Sequence, residues 1–218
     1  MQSLKSISPI DGRYRKAVEE LSNYFSEESL IRYRIIVEGE YLIALSEEKK
    51  VGLRKFSDAE KKIIRNLYNI ETKDAFEIKI HEAKTNHDVK AVEYFIKEHL
   101  SKTSLKDTIE WIHFALTSED TNNISYALML SEAKKKVIIP ALDSVSGEIE
   151  QLAIRFKKTP MLARTHGQSA SPTTLGKEFK VFSARLKRQI DQLKRNKILA
   201  KLNGATGNYN AHLVLFEN

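Results

Sequence analysis

Cysteine is absent from all 218 residues, which excludes a disulfide framework and any thiolate metal site. That absence fits a cytoplasmic protein, and the cytoplasm is the expected compartment. No run of about 18 apolar residues exists, so no membrane span is expected. The opening Met-Gln-Ser-Leu-Lys-Ser-Ile-Ser-Pro lacks the apolar core of a signal peptide. Proline and glycine number only four and eight, and there are no internal repeats or low-complexity segments. The single tryptophan stands apart from the basic residues, and no zinc finger or Gly-and-aromatic RNA motif is present, so nucleic acid is not expected as a partner. His81-Glu82 lacks the second histidine of a His-Glu-x-x-His zinc motif, because Thr85 occupies that position. No catalytic Ser-Gly elbow is found either.

What the chain does have is charge, unevenly spread. The net charge is +7, yet residues 151–218 hold 13 Lys and Arg against 3 acids, while residues 1–150 hold 23 against 26. A basic final third points to an anionic small substrate or to an acidic helix from elsewhere.

Taken in order, the chain reads as mostly helical. Ser8-Pro9-Ile10-Asp11-Gly12-Arg13-Tyr14 is a turn from which Arg13 and Tyr14 project; alone, it reads equally as a turn with a solvated arginine. Helices are predicted over 17–25 and 27–48, the second with Tyr33, Val37, Tyr41 and Leu45 on one face. Ser57 and Glu60 have capping-box spacing and open a helix carrying Ile63, Ile64, Leu67 and Tyr68. Ile78 and Ile80 alternate with charges, which suggests a short extended piece over 77–83. Thr85 or Asn86 is the expected cap of a helix that buries Val89, Val92, Ile96 and Leu100. His87 and Asp88 then fall in its first turn, where free N–H groups and the helix dipole favour an anion; a plain capping histidine is the alternative. A helix over 105–116 would carry Trp111 and His113, the latter as a partly buried structural histidine. Thr117-Ser118-Glu119-Asp120 begins another helix, again with hydroxyls and N–H groups suited to an anion.

Long helices follow. Leu142, Val145, Ile149, Leu152 and Phe156 alternate spacings of three and four, and Leu175, Phe179, Phe182, Leu186, Ile190 and Leu193 repeat the pattern. Two antiparallel helices cannot bury such stripes alone, so further helices are expected from other chains or from sequence not present. Between them lies Arg164-Thr165-His166-Gly167-Gln168-Ser169-Ala170-Ser171-Pro172-Thr173-Thr174. It is predicted as an irregular loop on which His166 suits proton transfer near neutral pH or simply satisfies a carbonyl. Asn203 to His212 is a Gly-hinged polar loop without the lysine and spacing of a phosphate-binding loop. The fold class expected is all-α, with a helical domain over 1–110 and the start of a long-helix bundle over 111–218.

Five of these segments resemble the bacterial-type adenylosuccinate lyases of the fumarase/aspartase superfamily, in that family's order: Ser8 to Tyr14, Thr85 to Phe95, Thr117 to Asn123, Thr165 to Thr174 and Asn203 to His212. The resemblance implies β-elimination of fumarate from small nucleotide substrates, with no cofactor or metal and with a homotetrameric whole enzyme. It implies that His166 is the general acid. Arg13, Tyr14, Asn86, His87, Asp88, Thr117, Ser118 and Gln168 become substrate contacts. Ser169 departs from the proline common after Gly-Gln. The family's mobile Gly-Ser-Ser-x-Met-Pro loop, which carries the general base, has no counterpart, and the chain resembles the family's N-terminal half. Another fumarate-releasing lyase, such as argininosuccinate lyase, and a non-catalytic helical module are the competing readings.

Overall fold

The computed structural model describes residues 5–215, of which the helices make the dominant part: the chain is 65% helical with one small two-stranded sheet. It divides into two compact units, Met1–Leu130 with Leu199–Asn218, and Ser131–Ile198.

The first unit begins with the Ser8–Tyr14 turn, where Tyr14 N–H reaches Pro9 O at 2.8 Å. The helix expected over 17–25 is instead two short 3-10 turns, Arg15–Ala17 and Glu19–Leu21, followed by α1 (Ser22–Phe25). Helix α2 (Glu27–Glu47) is capped by Ser26, whose hydroxyl accepts from Ser29 N–H, and it runs as predicted. Helix α3 (Asp58–Asn66) has the full reciprocal capping box between Ser57 and Glu60. Residues 77–83 are not extended; they lie inside α4 (Thr72–Thr85). Ile78 is buried and Ile80 exposed. A helix turns about 200° over two residues, so it separates that pair as a strand would. Helix α5 (Asp88–Leu100) packs on α4, and Leu100 leads into a short loop. The helix expected over 105–116 is only a 3-10 segment, Lys106–Trp111, because His113 and Ala115 both take left-handed backbone (φ 61° and 60°). Helix α6 (Ser118–Ala133) follows.

A single core holds this unit together. Ile31, Ile35 and Leu42 of α2 meet Ile64, Ile78, Phe95 and Leu100 in one buried cluster. Each such side chain contributes about 1.5–3 kcal/mol of burial. Gly39 is required where α2 approaches α3: an added Cβ would sit 2.6 Å from the Tyr68 hydroxyl.

In the second unit a π-helical turn, Lys134–Ile138, leads into α7 (Ile139–Arg155), then strands β1 (Pro160–Thr165) and β2 (Gln168–Thr174), then α8 (Leu175–Arg195). The two helices run antiparallel, since Lys194 pairs with Asp143 near one end and Ser183 donates to Glu150 nearer the other. Gly176 sits against the α7 C-terminus, where a Cβ would meet Ala153 O at 2.4 Å. The seam is only partly covered: Val145 and Phe182 are exposed. The predicted irregular loop around His166 is in fact an antiparallel hairpin. The pattern hid it because Ser, Thr and Pro supply little apolar alternation for a strand reading. Helix α9 (Asn210–Leu215) closes the described chain and belongs to the first unit.

Candidate functional site

The densest polar constellation in the first unit grows from the junction of α4 and α5. Asn86 ends α4 in left-handed backbone (φ 50°), its N–H bonding Glu82 O at 2.8 Å. Neither Thr85 nor Asn86 caps α5. His87 does, since its extended backbone places Nδ1 3.2 Å from the Lys90 N–H it accepts. An acceptor Nδ1 leaves the neutral imidazole its proton on Nε2. Nε2 lies 3.2 Å from Ser118 Oγ, so Nε2–H donates and the Ser118 hydroxyl proton is free to donate onward. His87 and Ser118 therefore join the starts of two helices of 13 and 16 residues, whose dipoles favour an anion, although the Val89 and Lys90 N–H groups of α5 are already taken by Asp88 and His87.

Two carboxylates stand at the same helix starts, and each has its own cation. Asp88 pairs with Arg34, a side chain only 6% exposed, which also donates from Nε to Asn122 Oδ1 at 2.8 Å. Burial raises the Asp88 pKa, but the Arg34 charge and the Val89 N–H outweigh it and hold the carboxyl below its ordinary value. Asp120 is fully buried and accepts from Thr117 N–H (3.1 Å), Lys201 Nζ (2.9 Å), Asn203 N–H (3.1 Å) and Gly204 N–H (3.2 Å). Burial again raises its pKa, and Lys201 with the backbone N–H groups brings it below the usual range. Through Asp120 the Thr117–Asn123 and Asn203–His212 segments become one assembly. Asn123 seals it by exchanging hydrogen bonds with Lys201 N–H and O at 3.0 and 2.8 Å.

Behind this surface lies a buried carboxyl group that sequence reading missed. Glu38 is buried on α2, its Oε1 taking hydrogen bonds from His113 Nδ1 (2.6 Å) and Thr121 Oγ1 (2.8 Å). His113 is thus the structural histidine expected. Burial alone lowers its pKa, but Glu38 raises it further and the net direction is up. The clue in the sequence was the pair Arg34 and Glu38, four apart on the buried side of α2 among Ile31, Ile35 and Leu42. Tyr41, on the same helix, donates to Phe114 O at 3.0 Å and lies 3.2 Å from His212 Nε2. Its pKa is pushed up to about 12, first by burial and then by Glu38 and Asp120.

Arg13 and Tyr14 lie in the first unit on an exposed turn, with the guanidinium 5.4 Å from the Tyr14 ring centre. Among the described residues no hydrogen bond joins either to the His87–Ser118 pair. In the second unit, His166 and Gly167 form the hairpin turn, with φ 49° and 75°, between the register partners Thr165 and Gln168. His166 and Gln168 are exposed there. Left-handed backbone at both central residues is what a two-residue hairpin needs, and it puts the imidazole at the tip.

Known proteins are similar to this chain in sequence and in fold. The family model described as Lyase matches residues 12–217. Adenylosuccinate lyase from Haemophilus influenzae is 46% identical over 221 residues, covering 100% of this chain and 48% of that protein. The Dictyostelium discoideum adenylosuccinate lyase is 48% identical, covering 99% of this chain and 48% of that protein. The chain thus spans about half the length of the curated relatives it matches. Among solved structures, a fumarate lyase from Mesorhizobium sp. BNC1 shares the fold with a TM-score of 0.72 at 17% identity, over 88% of this chain and 44% of that one.

Proposed function

Since the chain belongs to the lyase family, we propose that it supplies the acid and the anion-binding half of an adenylosuccinate lyase. The reaction is release of fumarate from adenylosuccinate, giving AMP, and from succinylaminoimidazole carboxamide ribotide, giving AICAR, in purine nucleotide biosynthesis. A base removes the Cβ proton of the succinyl group. The electron pair becomes the new C=C bond, the C–N bond breaks, and an acid protonates the departing nitrogen.

His166 is the acid in this reading. An imidazole at a hairpin tip is free to meet a leaving nitrogen, and imidazole is the side chain type suited to proton transfer near neutral pH. The His87–Ser118 pair, with Thr117 and Asn86, receives the substrate's carboxylate or phosphate oxygens; Arg13, Tyr14, Gln168 and, as an acceptor for a substrate N–H or O–H, Asp88 complete the contacts. The observation that carries the reading is the 3.2 Å His87–Ser118 link at two helix starts whose own carboxylates are already neutralised by Arg34 and Lys201. A module kept only for packing has no use for such an arrangement. The working enzyme is a cytoplasmic homotetramer in which other chains cover the α7–α8 seam and add the general base. No metal or cofactor takes part in the elimination.

The test is fumarate release, read by absorbance, from the complete enzyme with adenylosuccinate and with argininosuccinate as alternative substrates. Turnover of adenylosuccinate alone is expected. Turnover of argininosuccinate alone would move the assignment to that lyase, and none with either would leave the helical module.

A further inference from the structure

Away from the helix starts, α4 and α5 bring together one imidazole and two carboxylates. Glu77 and His81 are four residues apart on one face of α4, and Glu98 faces them from α5. One ligand atom from each lies within 4.8 Å of the other two. His81 Nε2 and Glu98 Oε2 are 3.5 Å apart. Bonds of about 2.0–2.2 Å to a tetrahedral Zn²⁺ put donor atoms roughly 3.3–3.6 Å from each other. The His81–Glu98 pair therefore already has ligand spacing, and Glu77, within 4.8 Å of both, comes into range by turning its side chain.

The charges around the cluster point the same way. The other acids along these two helices have been given partners: Asp88 has Arg34, Glu93 has Lys90 and Lys97, Glu82 has Lys79, and Asp74 caps its own helix. Glu77 and Glu98 have no lysine or arginine in ion-pair range among the described residues, in a chain with net charge +7. Two carboxylates held beside a single imidazole repel unless a cation joins them. The His81 side chain is only 17% exposed, so little water competes at its ring nitrogen. Both helices are anchored by buried Ile78, Val92 and Phe95, which fixes the ligand-bearing backbone in advance.

We propose that Glu77, His81 and Glu98 form a site for a divalent cation of the zinc class that clasps α4 to α5. The mixed nitrogen and oxygen donors select a borderline first-row ion over calcium or magnesium, which prefer all-oxygen shells. Three protein ligands leave one coordination position to water. Glu98 lies roughly 16 Å along α5 from His87 at 1.5 Å per residue, so the site is separate from the substrate contacts. Sequence reading passed over it because the ligands come from two helices and no contiguous His-Glu-x-x-His pattern marks them. The proposal stands whether or not the lyase reading does.

The experiment is calorimetric titration of the chelator-treated 218-residue chain with ZnCl₂ at pH 7.5, beside a thermal melt. One Zn²⁺ per chain with micromolar affinity is expected. At 100-fold excess over the Kd, the midpoint should rise by roughly 5–10 °C. Glu77→Gln, His81→Gln and Glu98→Gln each remove one ligand that lies outside the buried apolar cluster. Each should weaken binding by about tenfold or more, the least that even loss of a supporting residue costs a metal site, with an unchanged circular-dichroism spectrum. No binding by the parent chain would overturn the proposal, and so would binding that all three variants retain. That second result would mean the metal sits on other histidines. Glu98 and Glu77 would then merely flank His81.

Discussion

Replacing Asp120 by Asn tests the assembly at the start of α6 most directly. The carboxylate is fully buried and receives one ammonium and three backbone N–H groups. Asparagine keeps the shape but holds one acceptor oxygen, and its amide N–H₂ must face donors. Breaking a buried pair by removing one partner costs about 3–5 kcal/mol. Lys201 is 34% exposed on its side chain and can turn to water, which lowers that figure. Each backbone N–H left without an acceptor adds about 1–3 kcal/mol. About 3 kcal/mol is therefore expected for Asp120→Asn, with a smaller loss for Lys201→Met, which keeps the three N–H donors on the carboxylate. Urea unfolding followed by far-ultraviolet circular dichroism reads this. With a slope of about 2 kcal/mol per molar urea, the midpoint falls by about 1.5 M. A double variant should cost less than the sum of the two single changes. An Asp120→Asn protein within 0.5 kcal/mol of the parent would show that the four hydrogen bonds do not hold the Asn203–Gly204 loop to α6.

Other expectations are these. In the complete enzyme, His166→Gln should lower kcat by about 10²–10⁴ with little change in substrate affinity, and turnover within threefold of the parent removes it as the acid. Arg13→Ala should weaken adenylosuccinate binding by roughly 1.5–3 kcal/mol, measured by calorimetry; unchanged binding leaves only a solvated turn. The Arg54 guanidinium, with the Ser57 N–H, pulls the Glu60 pKa from 4.5 down to about 2. A lowered folded-state pKa stabilises above the unfolded value and is lost as pH falls toward the folded one, so this part of the stability should disappear between about pH 4.5 and pH 2. Acid titration of parent and Glu60→Gln should differ only by a slope confined to that window. The 218-residue chain alone should self-associate through its exposed seam and release no fumarate above buffer, as it contains no residue matching the family's base. Robust turnover by the chain alone would mean the base has been misplaced.

Local signals carried much of the fold. Ser57 with Glu60 announced α3, four-residue spacing announced α2, and the 3–4 stripes announced α7 and α8, because each depends on neighbours within one or two turns. The signals failed where backbone conformation or distant partners decide. His87 rather than Asn86 caps α5, since Asn86 is spent ending α4 in left-handed backbone. His113 breaks its predicted helix because its ring is drawn to Glu38, 75 positions away in sequence. For the candidate site, the residue types at 87, 117, 118 and 120 were legible as helix starts. Their joining was not. It runs through Arg34 to Asn122 and through Lys201 to Asp120, pairs separated by 88 and 81 positions, and no spacing rule reaches so far.

Under the acid role proposed for His166, its turn with Gly167 sets function against conformational ease. Left-handed backbone costs an L-residue other than glycine roughly 1–2 kcal/mol, with asparagine and aspartate the most tolerant. A glycine at 166 would relieve the hairpin while removing its imidazole, so on that reading the tip holds a residue that folding by itself would not choose. In any mutational survey read by stability alone, position 166 should therefore rank among the places where change is welcome, and a survey read by turnover should rank it among the least tolerant. Divergence between those two rankings at one residue is the mark of a side chain kept for chemistry rather than for the fold.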